Sequence, residues 1–297
     1  MPKIAYQEKT FRDDIAAYIR KANEIVATYL AQGYRLTLRQ LYYQFVARDI
    51  LPNTERSYKN LGNWVNEARL AGLLDWNAIE DRTRNLKRNS HWDGPADIVR
   101  SAAQSYGIDL WEGQEYRVEV WVEKEALAGV IERPSRSLDV PWFCCRGYVS
   151  QSEMWRAAMR LIDYEQDGAK TVIIHLGDHD PSGIDMTRDI QDRLALFGAD
   201  TRVLRIALNM DQVEHYGPPP NPAKLSDSRS NGYVEAFGFQ SWELDALEPS
   251  VIDALVSETV EEYLDVAKYE DRKAVQEAGR EKLLALAAQA EAEFEDE

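Results

Sequence analysis

Three acidic residues stand at the ends of two apolar runs. Glu123 follows Val118-Glu-Val-Trp-Val122, and Asp178 and Asp180 follow Thr171-Val-Ile-Ile-His-Leu-Gly177. Each run is short, rich in β-branched residues and closed by a turn signal, Lys124-Glu-Ala126 in one case and His179-Asp-Pro-Ser-Gly183 in the other. Each therefore reads as a buried parallel strand. Ligands of open α/β sheets sit outside the carboxyl ends of the strands. Two neighbouring strands would aim three carboxylates at one spot, and Asp178 and Asp180, as alternate residues of an extended segment, point to the same side. Such a group suits Mg²⁺, which takes few protein ligands and leaves positions open for phosphate. Taken singly, each of the three reads equally well as a turn former or a helix cap.

A second chemical group lies upstream. Leu38, Leu41, Tyr42, Phe45 and Val46 form the stripe of a helix that faces a core. Tyr43 lies about 100° further round, on the same edge as Arg39 one turn earlier. A guanidinium beside a phenol is expected to favour the phenolate and to hold the phosphate that a phenolate would attack. A displaced helical Tyr is more often a partly buried anchor, and that reading stands beside the catalytic one.

The elements that position these groups follow from periodicity and punctuation. A helix is predicted over 11–31, a second from Thr37 with the capping box Thr37-x-x-Gln40, and a third from Asn53-Thr54 to about Ala71. Three helices so spaced suit a winged-helix or helix-turn-helix domain, with the wing within 73–89. That stretch carries Arg82, Arg84, Lys87 and Arg88, the densest basic cluster in the chain and a candidate contact for DNA phosphates, or else a solvated loop. Past a linker near Ser90–Pro95, strands are predicted over 118–122, 140–145, 171–176 and 201–207, alternating with helices. Residues 215–240 read as a long loop, and the stretch from Trp242 onward as helical. The expected fold class is α/β with a helix-rich first part. Its domains are 1–95, carrying the candidate nucleophile, 110–240, carrying the carboxylates on a mostly parallel sheet, and 241–297, acidic helices.

Composition bounds the rest. At 297 residues with 44% apolar and 29% charged residues, the chain has room for about two domains with real cores. No apolar run approaches the eighteen or so residues of a membrane span, and Met1 to Glu8 lacks the apolar stretch of a secretory signal. Adjacent Cys144 and Cys145 are poorly placed to pair, so a reducing cytoplasm is expected. The net charge is −16, yet residues 1–100 are mildly basic and the acidity sits further on. Contacts to nucleic acid would have to be local rather than steered by the whole molecule. No Gly-x-x-x-x-Gly-Lys-Ser/Thr phosphate loop occurs.

These pieces form one known combination. Trp121-Val-Glu-Lys-Glu-Ala126 followed by Gly177-Asp-His-Asp-Pro-Ser-Gly183 resembles the Toprim domain, and the chain is most similar to the A subunit of type IIB topoisomerase (topoisomerase VI) and the related meiotic double-strand-break transesterase. In size and architecture the stand-alone "mini-A" relatives look nearest. Arg39-Gln-Leu-Tyr42-Tyr43 matches the family's Arg-x-hydrophobic-Tyr-Tyr motif on a winged-helix domain, and Arg146-Gly-Tyr148 resembles its Gly-aromatic segment after the second strand. The resemblance implies Tyr43 as nucleophile, Mg²⁺ on Glu123, Asp178 and Asp180, and Arg39 on the scissile phosphate. Glu123 is a candidate general acid–base, and Lys124 and Arg146 are further candidate DNA contacts. It also implies double-stranded DNA as substrate, a homodimer in which one copy's Tyr meets its partner's metal site, a possible separate B-type ATPase subunit and a nucleoid-associated location in the cytoplasm. A similar Toprim domain occurs in nucleases that activate water instead, and a non-catalytic DNA-binding module is the third class. The haloacid-dehalogenase pattern, which also begins with Asp-x-Asp, wants Thr or Val where Ser182 stands and leaves Glu123 without a role.

Overall fold

The computed structural model describes residues 3–79, 89–227 and 229–295. The basic cluster Arg82, Arg84, Lys87 and Arg88 lies outside the described residues. Helices α1 (Asp13–Ala31), α2 (Leu38–Ala47) and α3 (Glu55–Leu70) pack around Ile25, Tyr29, Leu41, Phe45, Leu61 and Val65. The Thr37 capping box forms as predicted, with the Gln40 amide donating to Thr37 Oγ1 and Gln40 Oε1 accepting from the Thr37 amide. Tyr42 is the anchor that its place in the apolar stripe predicts. Its hydroxyl accepts from the Thr54 amide at 2.8 Å and so fixes the entry of α3 against α2. After α3 the described residues show no two-stranded wing, only isolated bridges of Leu36 with Ile79 and of Ala5 with Ala71.

Helix α4 (Pro95–Ser105) leads to an α/β unit. Its sheet contains β1 (Tyr116–Val122), β2 (Trp142–Cys144), β3 (Lys170–Leu176) and β4 (Arg202–Ala207), all parallel, in the order β2-β1-β3-β4. The two-residue period of the strands sorts their side chains onto two apolar layers. Val118, Val120, Val122, Val172, Ile174 and Leu176 face one layer, with α5 (Ala128–Ser137) and α10 (Pro249–Glu261). Trp121 and Ile173 face the other, with α6 (Gln151–Gln166) and α7 (Pro181–Leu196). Cys144 and Cys145 fall on opposite layers and are not bonded to each other. Glu119, buried in mid-strand, is compensated by Arg160 of α6, which reaches it through Nε at 2.7 Å and Nη2 at 2.9 Å.

Two expectations change. The strand predicted over 140–145 shrinks to β2, a three-residue edge strand that pairs with β1 alone. The stretch 215–240 is not a plain loop. After α8 (Met210–Tyr216), a hairpin of β5 (Asn221–Pro222) and β6 (Gln240–Ser241) encloses α9 (Ser230–Phe237). The final stretch is helical as expected, in α10 and the thirty-residue α11 (Val266–Glu295), which packs along α4. No helix of the described residues is long and apolar enough to cross a membrane.

Candidate active site

The strand order places a topological switch between β1 and β3. The chain leaves β1 toward β2 on one side and returns to β3 on the other, which opens a crevice at the carboxyl ends of those two strands. Glu123 ends β1 and donates its amide to Leu176 O at 2.8 Å, while Asp178 and Asp180 follow β3. All three carboxylates line one cleft of about 440 Å³. Glu123 Oε2 accepts the Asp178 amide at 2.9 Å. Asp180 caps α7, its Oδ1 accepting from the Gly183 amide at 2.6 Å and from Ser182 Oγ at 2.9 Å. Asp180 thus forms the helix cap and also lines the cleft. His179, between the two aspartates, points the other way, as the extended alternation requires, and its Nδ1 meets the Tyr233 hydroxyl at 2.8 Å. Behind the turn, half-buried Arg205 donates to the carbonyls of Gly177, Asp178, Gly183 and Leu208 at 2.7–3.1 Å, which holds the loop that carries both aspartates.

Sequence reasoning missed a second acidic pair and an amide. Trp242 exchanges backbone hydrogen bonds with His179, at 2.8 and 2.9 Å, and this antiparallel bridge lays the segment after β6 along the aspartate turn. Glu243 and Asp245 enter the cleft from it. Their spacing repeats that of Asp178 and Asp180, which is the one signal that could have drawn notice to them. Asn221 arrives from β5.

These additions redefine the two cations. Lys124 is not a solvated surface lysine but is paired with three carboxylates. Its Nζ lies 2.8 Å from Asp178 Oδ2, 2.8 Å from Glu243 Oε2 and 3.1 Å from Asp245 Oδ1. Arg39 crosses from α2 to pair with Glu243 and, through Nε at 3.1 Å, with Asp245. Burial opposes charge on both Lys124 and Arg39, but the facing carboxylates outweigh it and hold each base protonated more firmly than usual. Burial likewise opposes charge on Glu243, yet Lys124 and Arg39 pull its carboxyl down to about 2. Arg146 is exposed, pairs with Glu125 and does not line the cleft.

Tyr43 borders this cleft within the same chain. It lies outside the apolar cluster of its own helices and lines a cavity of about 220 Å³, which shares Arg39, Asn221 and Glu243 with the carboxylate cleft. Asn221 Nδ2 donates to the Tyr43 hydroxyl at 3.4 Å and to Glu243 Oε1 at 3.3 Å. The Arg39 guanidinium stands 5.9 Å from the ring centroid, as the one-turn spacing predicts. Its expected effect on the phenol is present but outweighed. Tyr43 is 3% exposed, and burial together with the charges of Asp245 and Glu243 raises its pKa despite Asn221 and Arg39. The guanidinium still favours phenolate, but burial and the two carboxylates win.

The donor set suits a hard divalent cation in part. Burial and mutual repulsion raise the Glu123 carboxyl, and burial with neighbouring acids pushes Asp178 up to about 7, a surplus of negative charge that a cation would relieve. Glu123 Oε1 and Asp180 Oδ2 accept no hydrogen bond from the described residues and could serve as ligands. Asp178 is engaged at both oxygens, by the Leu244 amide at 2.8 Å and by Lys124. Accordingly no group of three His, Cys, Asp or Glu side chains among the described residues stands in metal-binding array. Comparison with protein-family models yields no match, and comparison with curated proteins yields none either.

Proposed function

We propose that the protein is a Mg²⁺-dependent DNA-cleaving transesterase of the topoisomerase VI A type, with α1–α3 as its winged-helix domain and the parallel sheet as its Toprim domain. One observation carries this reading. The cavity of an off-core tyrosine and the cleft of the strand-end carboxylates share Arg39, Asn221 and Glu243. In the proposed reaction the Tyr43 oxygen gives up its proton and bonds to a DNA phosphorus, the bond from phosphorus to the 3′-oxygen breaks, and that oxygen takes up a proton, so that one O–H is lost and one is formed. Glu123 and Asp180 would hold the cation, with Asp178 joining once Lys124 releases it. The cation would supply charge stabilisation at the phosphate and at the leaving oxygen. Cutting both strands of a duplex calls for a homodimer, and strand passage for a separate ATPase subunit.

A hydrolytic reading is favoured by the burial of Tyr43 and the raised pKa of its phenol. It uses the same carboxylates and a water molecule. Supercoiled plasmid incubated with the protein and Mg²⁺, then quenched with denaturant, separates the two. Protein-linked DNA that disappears in Tyr43→Phe is the expected result. Cleavage that survives Tyr43→Phe and is lost in Glu123→Gln would replace the transesterase with a nuclease.

A further inference from the structure

The carboxylate of Glu243 is held as a phosphate would be. Its Oε2 accepts from Arg39 and from Lys124 Nζ at 2.8 Å, and its Oε1 accepts from Asn221 Nδ2 at 3.3 Å. Two cations and an amide thus converge on one pair of anionic oxygens, the pattern that recognises a phosphodiester. The three donors come from three separate places in the chain: α2, the turn after β1, and β5. The neighbouring acid plays a different part. Asp245 is 1% exposed, contacts both cations and stands as their permanent counter-ion. Glu243 is the outer member of the pair. Its side chain keeps 21% exposure and faces both cavities.

We infer that Arg39, Lys124 and Asn221 form a binding site for a backbone phosphodiester of DNA, and that Glu243 occupies it as a resident stand-in that the incoming phosphate displaces. The inference rests on the DNA-cleaving reading for the identity of its ligand. It gives the resting protein a reason to bind DNA weakly, because a phosphate must compete with a tethered carboxylate.

The test is the affinity of the full chain for a fluorescently labelled duplex of about twenty base pairs, in EDTA so that no cleavage intervenes. Glu243→Gln should bind roughly tenfold more tightly than the parent protein, the effect of one freed charge-assisted contact. Glu243→Asp keeps the charge on a shorter arm, and should gain in the same direction by less. In an Arg39→Met background the gain from Glu243→Gln should shrink, since one of the two cations that Glu243 occupies is then absent. Inorganic phosphate should compete with the duplex more effectively in Glu243→Gln than in the parent. The inference is overturned if neither Glu243 variant gains affinity, or if the gain persists undiminished without Arg39, which would reduce it to bulk charge removal. Tighter binding by a protein that never cleaves DNA keeps the inference and removes the cleavage reading. Covalent cleavage without any gain does the reverse.

Discussion

His175 shows how a single buried side chain can tie stability to pH. It is fully buried in β3, with Nδ1 2.8 Å from Thr187 Oγ1, and burial next to Arg205 lowers its pKa to about 3. Below pH 6.5 the unfolded chain binds a proton there that the native state refuses until about pH 3. Stability is therefore fully present above 6.5 and falls as pH drops through that window, by about 1.4 kcal/mol per pH unit from this group. His175→Gln should flatten the urea-derived stability profile between pH 6 and 4 by that slope, and equal slopes in the two proteins would contradict the assignment. Other single-residue facts were open to sequence reasoning to different degrees. The off-core position of Tyr43, its nearness to Arg39 and the strand-end places of Glu123 and Asp178 follow from helical and strand periodicity. The raised pKa of Tyr43 did not follow, because it comes first from burial in the folded chain and then from carboxylates two hundred residues away in sequence.

At the scale of elements, the site depends on how tightly α7 starts beneath the aspartate turn. Gly183 is its third residue, and a Cβ built there would lie 2.2 Å from Asp178 O and 3.0 Å from Glu123 Oε2. Backbone cannot retreat as a flexible side chain can, since Arg205 pins that same carbonyl at 2.7 Å. Gly183→Ala should thus cost about 2–4 kcal/mol, an overpacking effect at the upper end of its range. It should also lower divalent-cation affinity measured calorimetrically. A melting temperature within a degree or two of the parent's would show that the turn is looser than described. The Pro-Ser-Gly signal placed the helix start correctly. The close approach that makes glycine obligatory appears only when the strand ends are brought side by side.

For the whole molecule, charge decides how DNA can be met. With 35 basic against 51 acidic residues the protein repels a polyanion overall, so the DNA binding proposed above would draw on the cations that line the cleft, Arg39, Lys124 and Lys224. Three phosphate contacts imply a slope of about −3 for log affinity against log salt concentration, and a slope near −8 would point instead to a broad basic surface. Anisotropy titrations across a salt series measure it. The sequence by itself determined the order of helices and strands, the parallel character of the sheet and the acidic ends of two strands, because each rests on local periodicity and turn chemistry. Only the tertiary structure decided that residues 242–245 lie against the aspartate turn. That one bridge, between His179 and Trp242, brings in the counter-charges that pair with Lys124 and Arg39 and add to the burial that keeps Tyr43 protonated. Local pattern fixes which face of an element is buried. An ion pair depends on distance to a partner, and that distance is set by pairing between segments far apart in the chain.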